Sequence, residues 1–102
     1  MIRGTTPDYV LTVNADLTDK AVFVTISQAG VKVTLTNDDM TIVGGDTSTI
    51  AIRLTQRQTL GLRAGTASVQ VRFVDSQGYA QATNIKTLTV SPVLLERVIA
   101  YE

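Results

Sequence analysis

The side chains in this sequence that could bind a metal ion are carboxylates and amides grouped in two short stretches. Asn14, Asp16 and Asp19 form the first group, and Asn37, Asp38, Asp39 and Asp46 form the second. Calcium prefers clustered oxygen ligands of this kind. Neither group has the spacing of an EF-hand loop, however, and Asp and Asn are also favoured in turns because their side chains bond to the nearby backbone. We therefore expect structural turns and no bound metal, with a calcium site as the alternative.

The residues that usually carry out acid–base or nucleophilic catalysis are missing or badly placed. The 102 residues include no His and no Cys, which excludes imidazole bases, thiol nucleophiles and disulfides. The two Glu residues, Glu96 and Glu102, both lie near the C-terminus, so a carboxylate pair across a cleft is not expected. A Ser or Thr nucleophile would need Lys as its base, and Lys20, Lys32 and Lys86 lie on predicted solvent-facing positions. The sequence thus predicts a protein that is not an enzyme and uses no cofactor.

The charge balance argues against anionic partners. Nine basic side chains match nine acidic ones, so no basic surplus attracts nucleic acid or an acidic membrane surface. A basic patch would form if the strands carrying Arg53 and Arg72 were neighbours, with Arg57 and Arg63 close by; otherwise these arginines serve solubility. No signal peptide and no apolar run near 18 residues is present. We expect no nucleic-acid partner, no membrane association and synthesis in the cytoplasm.

Carbohydrate binding is the second function that the sequence leaves open. Sugar-binding proteins stack aromatic rings on sugar faces, but this chain has no Trp and three Tyr residues. Tyr9 and Tyr79 lie in or beside predicted strands, and Tyr101 lies near the C-terminus. A sugar site would need a shallow groove beside Tyr9 or Tyr79, with Arg, Asn or Asp nearby.

The composition indicates an all-β fold that would hold these residues in place. Thr, Val and Ile occur 16, 13 and 7 times, so 36 of 102 residues are β-branched. Such side chains lose rotamer freedom in a helix but pack well on a pleated sheet. Hydrophobic residues make up 44% of the chain and aromatic residues only 5%, so the core must be mainly aliphatic.

Seven segments alternate apolar and polar residues and are separated by turn residues, which is typical of strands. They cover residues 9–13, 20–27, 31–36, a short stretch around Met40 and Ile42, and residues 47–54, 66–74 and 79–90. Their spacing predicts a single immunoglobulin-like antiparallel β-sandwich over residues 1–102, with a small barrel as the alternative.

Two local features interrupt the strand pattern. Thr55 and Gln58 have the spacing of a capping box, in which each side chain bonds to the other's backbone N–H, so a short helical turn is expected there. In residues 79–90 the alternation changes phase, so that Ile85 falls on the face opposite Leu88. One extra residue reverses the facing of all later side chains, which predicts a β-bulge near Asn84.

The C-terminal tail, residues 91–102, is apolar where a chain usually turns polar. Each such side chain costs about 1.5–3 kcal/mol when exposed rather than buried. Three ways to cover them remain open: a last strand on the same domain, exchange with a second copy, or docking on another protein. The predicted interaction surface consists of Val93, Leu94, Leu95, Val98, Ile99 and Tyr101.

Parts of the sequence resemble a family of virion proteins. The opening MIRGTTP, the segment IRLTQRQTLGLRAGTASVQVRFVDSQG and the later ATNI are similar to small virion proteins of phages and prophages of Gram-positive bacteria. They also resemble the N-terminal β-sandwich domain of phage baseplate upper proteins. The matching positions, interpreted as fold determinants, are Arg3, Gly4, Thr5, Thr6 and Pro7, then Leu54, Thr55, Gln56, Ala64 and Gly65, then Ala82, Thr83, Asn84 and Ile85.

The resemblance implies a non-enzymatic virion component that acts through protein–protein contacts. Its expected partners are further copies of itself, other virion proteins, or both, and its expected location is the virion. Baseplate upper proteins continue into a long stem, whereas this sequence stops at Glu102. A baseplate or tail component, a connector and a head accessory protein are therefore all compatible with the likeness.

Overall fold

The computed structural model describes residues 1–101 and contains eight strands in two antiparallel sheets. The strands are β1 (Asp8–Val13), β2 (Ala21–Gln28), β3 (Val31–Leu35), β4 (Met40–Val43), β5 (Ser48–Arg53), β6 (Gly65–Val74), β7 (Ala80–Ala82) and β8 (Lys86–Val90). A 3₁₀ turn (Asn37–Asp39) precedes β4, and a short helix, α1 (Gln56–Leu60), follows β5. The prediction of an all-β sandwich is confirmed.

The two sheets differ in size and enclose one aliphatic core. The smaller sheet has the order β1-β5-β4; in the larger sheet β3, β2 and β6 are adjacent, and both β7 and β8 pair with β6. Alternate residues of each strand point inward, as the period of two requires. The buried apolar residues are Val13, Leu17, Val22, Val24, Ile26, Leu35, Ile50, Ile52, Leu54, Leu62, Ala67, Val71, Phe73 and Val90.

Helix α1 begins where the capping pattern predicts. The Thr55 hydroxyl accepts a bond from the Gln58 N–H at 3.1 Å, and the Thr55 N–H donates to the Gln58 side chain at 2.8 Å. Gly61 directly follows the helix, and Leu62 beyond it is buried in the core. The helix is therefore one short turn attached to the core, as expected.

The predicted β-bulge is present and divides the last predicted strand into β7 and β8. Arg72 pairs with Ala82 and Val69 pairs with Lys86. The two β6 residues are three positions apart, whereas their partners are four positions apart. The extra residue lies among residues 83–85. The Thr83 N–H donates to the Val71 carbonyl at 2.8 Å, and the Thr83 hydroxyl accepts the Val71 N–H at 3.1 Å. These bonds satisfy backbone groups where the ladder is interrupted.

The sandwich is bridged on one side and open on the other. On one side the chain crosses from β3 to β4 through the 3₁₀ turn, where the Asn37 side chain accepts the Val22 N–H at 2.7 Å and donates to the Lys20 carbonyl at 3.0 Å. On the other side β1 and β8 are edges of different sheets, and β1 pairs with β5 alone. We call the gap between β1 and β8 the seam.

An N-terminal arm, residues 1–7, leads from the end of β8 to the start of β1. Ile2 forms a parallel bridge with Ser91, and the Arg3 N–H donates to the Ser91 carbonyl at 3.0 Å. The arm therefore crosses one end of the sandwich beside α1. Within residues 1–101 no helix is both long and apolar enough to cross a bilayer.

Candidate protein-binding surface

The tail leaves the large sheet at Ser91, and the side chain of Gln56 in α1 holds its backbone near Ile99. Residues 92–101 contain no strand and no helix. The Gln56 side-chain N–H donates to the Ile99 carbonyl at 3.0 Å, and the Ile99 N–H donates to the Gln56 side-chain oxygen at 2.8 Å. The side-chain amide of Gln56 thus makes the pair of bonds that a peptide group of a neighbouring strand would make. The tail backbone therefore has a defined position.

Arg3 makes a second anchor that joins the arm, α1 and the tail. Its guanidinium bonds to the Leu60 carbonyl at 2.8 Å and also to the Leu62 carbonyl, and it pairs with the Glu96 carboxylate at 2.7 Å. The Arg3 side chain is only 17% exposed, against 62% for Glu96. Arg3 therefore satisfies carbonyl groups at the end of α1 that the helix itself leaves unpaired, while holding the tail near its midpoint.

The arm itself docks on α1 through a buried hydroxyl. Thr59 is fully buried, and its hydroxyl accepts the Gly4 N–H at 2.9 Å and donates to the Thr5 carbonyl at 2.9 Å. Gly4 has φ +78°, and a Cβ there would lie 3.3 Å from the Leu60 side chain. Glycine is needed at this position because the backbone is left-handed and the arm passes close to the helix.

The apolar side chains of the tail remain uncovered although its backbone is anchored. Leu94 and Tyr101 are fully exposed, and Leu95, Val98 and Ile99 are each about half exposed. Val93 is partly buried. The alternative of a last strand on the same domain is wrong for residues 92–101. We call Val93, Leu94, Leu95, Val98, Ile99 and Tyr101 the tail surface.

The acidic groups serve the turns in which they lie. Asp16 accepts the Thr18 N–H at 2.9 Å, and hydrogen bonds from Thr18 lower the pKa of the Asp16 carboxyl. Asp39 accepts the Thr36 N–H at 2.9 Å, and Asp19 adopts φ 57°, a left-handed turn conformation. In the described part of the chain, no three His, Cys, Asp or Glu residues lie close enough to share an ion.

The arginines are dispersed because Arg53 and Arg72 lie in different sheets. Arg53 on β5 bonds to both carboxylate oxygens of Asp8, at 2.6 and 3.0 Å. This contact lowers the pKa of Asp8 and raises that of Arg53. Arg72 on β6 pairs in register with Phe23. Arg53 and Arg72 therefore do not lie on neighbouring strands, which the predicted basic patch required. Arg57 lies in α1 and Arg63 just after it.

The tyrosines occupy separate parts of the molecule. Tyr79 is 71% exposed in the hairpin before β7, whereas Tyr9 on β1 is partly buried, which raises the pKa of its phenol. Tyr9 lines a wide groove of about 520 Å³ together with Asp8, Asp38, Asp39 and Arg53. The groove has the side-chain types that a sugar site would need.

The seam contains an apolar cavity of about 200 Å³ that the sequence analysis did not predict. Its inner wall is aliphatic, and Thr83, Asn84 and Lys86 also line it. The change of phase near Asn84 was the feature of the sequence that could have indicated this cavity, because a bulge bends an edge strand. The aliphatic lining residues are Leu11, Val13, Ile26, Ile52, Val69, Val71 and Leu88.

No protein-family model matches this chain, and no curated protein matches it. The tail surface, the seam and the groove beside Tyr9 are therefore the features from which its function is inferred.

Proposed function

We propose that this protein is a structural component of a phage virion, in the baseplate or tail or as a head accessory, and that it binds other proteins through the tail surface. The observation that carries the proposal is the combination of an anchored backbone with uncovered apolar side chains. The likeness of the arm and of residues 52–78 to small virion proteins supports the virion assignment.

The two bonds between Gln56 and Ile99 favour binding because they reduce the backbone entropy that the tail loses when a partner binds. An unattached apolar tail would lose backbone freedom on docking, at about 1–2 kcal/mol per residue. Here part of that ordering has occurred during folding, so more of the gain from burying Leu94, Leu95 and Ile99 contributes to affinity.

The chemistry of the tail surface favours a protein partner. Between residues 93 and 101 the charged side chains are Glu96 and Arg97, which cancel. An apolar surface with a balanced polar pair matches the cores of protein–protein interfaces, where charged residues are depleted. Further copies of this chain and other virion proteins are both partners of this kind.

Light scattering on the full chain tests whether the tail surface mediates association. The double variant Leu94→Ser/Ile99→Ser removes apolar contacts and leaves the backbone anchors in place. The parent chain should assemble with itself or bind purified virion proteins, whereas the variant should remain a folded monomer that binds neither. Val43→Ser is the matched control, because Val43 on β4 is 63% exposed and lies outside the tail. Equal association of all three proteins would contradict the role of the tail surface.

Mass spectrometry of purified phage particles tests the virion assignment separately. The chain should be present in particles at a fixed ratio to the major structural proteins. Its absence from particles made by cells that express it would overturn the assignment while leaving the association result intact.

The groove beside Tyr9 supports one second candidate, a carbohydrate-binding surface module. Its test is a glycan array on the full chain, compared with Tyr9→Ala and with Tyr79→Ala as the control outside the groove. Glycan binding that is lost with Tyr9→Ala alone would favour this second function.

A further inference from the structure

We infer that the seam binds the tail of a second copy of this chain as an added extended segment. This inference rests on the proposed function, because it uses the same tail surface and adds the place where that surface docks. It identifies the partner as a second copy and the contact as one between two different surfaces of the same chain.

The seam has the backbone and the cavity that an added segment needs. β1 pairs with β5 alone, so its other edge has backbone groups available to a further strand. The end of β8 is already bonded to the N-terminal arm at Thr89 and Ser91, so the free edge of β1 is the one that an added segment would pair with. An apolar cavity of about 150 Å³ is large enough to hold benzene. The seam cavity of about 200 Å³ is therefore large enough for one or two aliphatic side chains.

The tail has a matching length and alternation. The β1 residues that line the seam span Tyr9 to Val13, and a tail segment of equal length extends from residue 94 to 98. Alternate residues of an extended segment share one face. Leu94, Glu96 and Val98 thus form one face of the tail, and Leu95, Arg97 and Ile99 form the other.

Charge complementarity selects which face enters the seam. Lys86 is the one charged residue among those described that line the cavity, and within residues 1–101 it has no ion-pair partner. A tail that presents Glu96 inward meets this ammonium group, with Leu94 and Val98 directed into the aliphatic wall. The opposite face would bring Arg97 towards Lys86, and like charges repel.

Docking of the tail replaces one ion pair of Glu96 with another. Glu96 leaves Arg3 and pairs with Lys86 of the second copy, while the Arg3 guanidinium retains its bonds to the carbonyls of Leu60 and Leu62. The tail's own anchors, Gln56 and Arg3, do not line the seam. In a single copy the tail and the seam are therefore separate surfaces.

Disulfide trapping between two full-length variants tests the contact, since the chain has no natural Cys. The Val98→Cys chain is mixed with the Asn84→Cys chain under mild oxidation. We expect several-fold more mixed disulfide dimer than for Val98→Cys mixed with Thr34→Cys, whose cysteine lies on β3 away from the seam. A disulfide requires Cα atoms closer than about 7 Å. Enrichment of the mixed dimer therefore shows that residue 98 of one copy lies beside residue 84 of the other.

Charge reversal provides an independent measurement. Glu96→Lys and Lys86→Glu should each weaken association in light scattering, and a chain carrying both changes should recover it. Circular dichroism establishes that each variant is folded. Failure of the double variant to recover association would overturn the pairing of Glu96 with Lys86.

The remaining outcomes separate this inference from the proposed function. Tail-dependent association without enrichment of the mixed disulfide overturns the seam as the docking place and leaves the tail surface as the contact. A disulfide closed within one chain that carries both Val98→Cys and Asn84→Cys shows that the tail occupies its own seam, which overturns the second copy. A full chain that is monomeric at every concentration but binds another virion protein overturns only the inference made here.

Discussion

Gln56 and Ile99 are joined by two hydrogen bonds of opposite direction, although 43 residues separate them in the chain. The pair aligns the tail on α1 in the way that one peptide aligns another in a sheet. It leaves the Ile99 side chain half exposed. The position of the tail surface therefore depends in part on two polar side chains outside the tail, Gln56 in the helix and Arg3 in the arm.

Replacing Gln56 with Leu should release the tail without unfolding the domain. Loss of two exposed hydrogen bonds should lower the free energy of unfolding by about 1 kcal/mol. Limited proteolysis should then cut within residues 93–101 faster than in the parent chain. Gln81→Leu is a control at an exposed position of β7, outside the tail anchor. Tail cleavage at the parent rate in Gln56→Leu would contradict the anchoring role.

Replacing Arg3 with Ala should destabilise the domain more than any change confined to the tail. The carbonyls of Leu60, at the end of α1, and Leu62, just beyond it, lose a charged donor, and a bond of this kind contributes about 1.5–3 kcal/mol net. We expect a loss of at least about 2 kcal/mol in urea unfolding. Arg3→Lys should recover only part of it, because an ammonium cannot reproduce the planar fork of the guanidinium. Arg97→Ala should leave stability nearly unchanged.

The ion pair of Asp8 and Arg53 should make a small contribution to stability that depends on pH. The pKa of Asp8 is lowered from its usual 3.8 in the folded state, chiefly by the hydrogen bond from Arg53. A lowered carboxyl pKa stabilises the fold above the unfolded value, and the contribution is lost as pH falls below 3.8 through the folded pKa.

Urea midpoints measured from neutral pH down to the acid limit of folding test this expectation. Asp8→Asn should remove this part of the acid dependence and leave the part that comes from Asp16, whose pKa is also lowered. Because the pair is exposed, added salt should reduce the effect. An identical acid profile for Asp8→Asn and the parent would contradict it.

The bulge should depend on the Thr83 hydroxyl and on the number of residues around Asn84. Thr83→Val keeps the shape but removes the acceptor of the Val71 N–H, so a loss of about 1–3 kcal/mol is expected. Deleting Asn84 removes the extra residue, and the facing of every later residue in β8 would reverse. Val90, which is 2% exposed, would then point away from the core.

In thermal unfolding, the variant that lacks Asn84 should have a much lower Tm than Thr83→Val. Asn84→Ser, which keeps the residue count, is the control and should resemble the parent chain. A deletion variant as stable as the parent would show that β8 does not depend on the bulge for its facing.

Features that depend on neighbouring residues could be predicted from the sequence of this protein. The alternation of Val22, Val24 and Ile26 determines which face of β2 is buried, because successive side chains of a strand point in opposite directions. The capping residues Thr55 and Gln58 are three positions apart, and the phase change before Leu88 lies within one predicted strand, residues 79–90. Each of these signals is local, so no tertiary information was needed to read it.

The apolar residues of the tail could also be named from the sequence, but their exposure could not. Whether Leu94 and Ile99 are covered depends on where Gln56 and Arg3 are placed, and Arg3 contacts Glu96 across 93 positions. Alternation specifies the face of a strand and not its neighbour, so the separation of Arg53 from Arg72 and the open seam between β1 and β8 were decided only by the packing of the two sheets. Local chemistry determined the strands and turns, and the tertiary structure decided which surfaces remain available for binding.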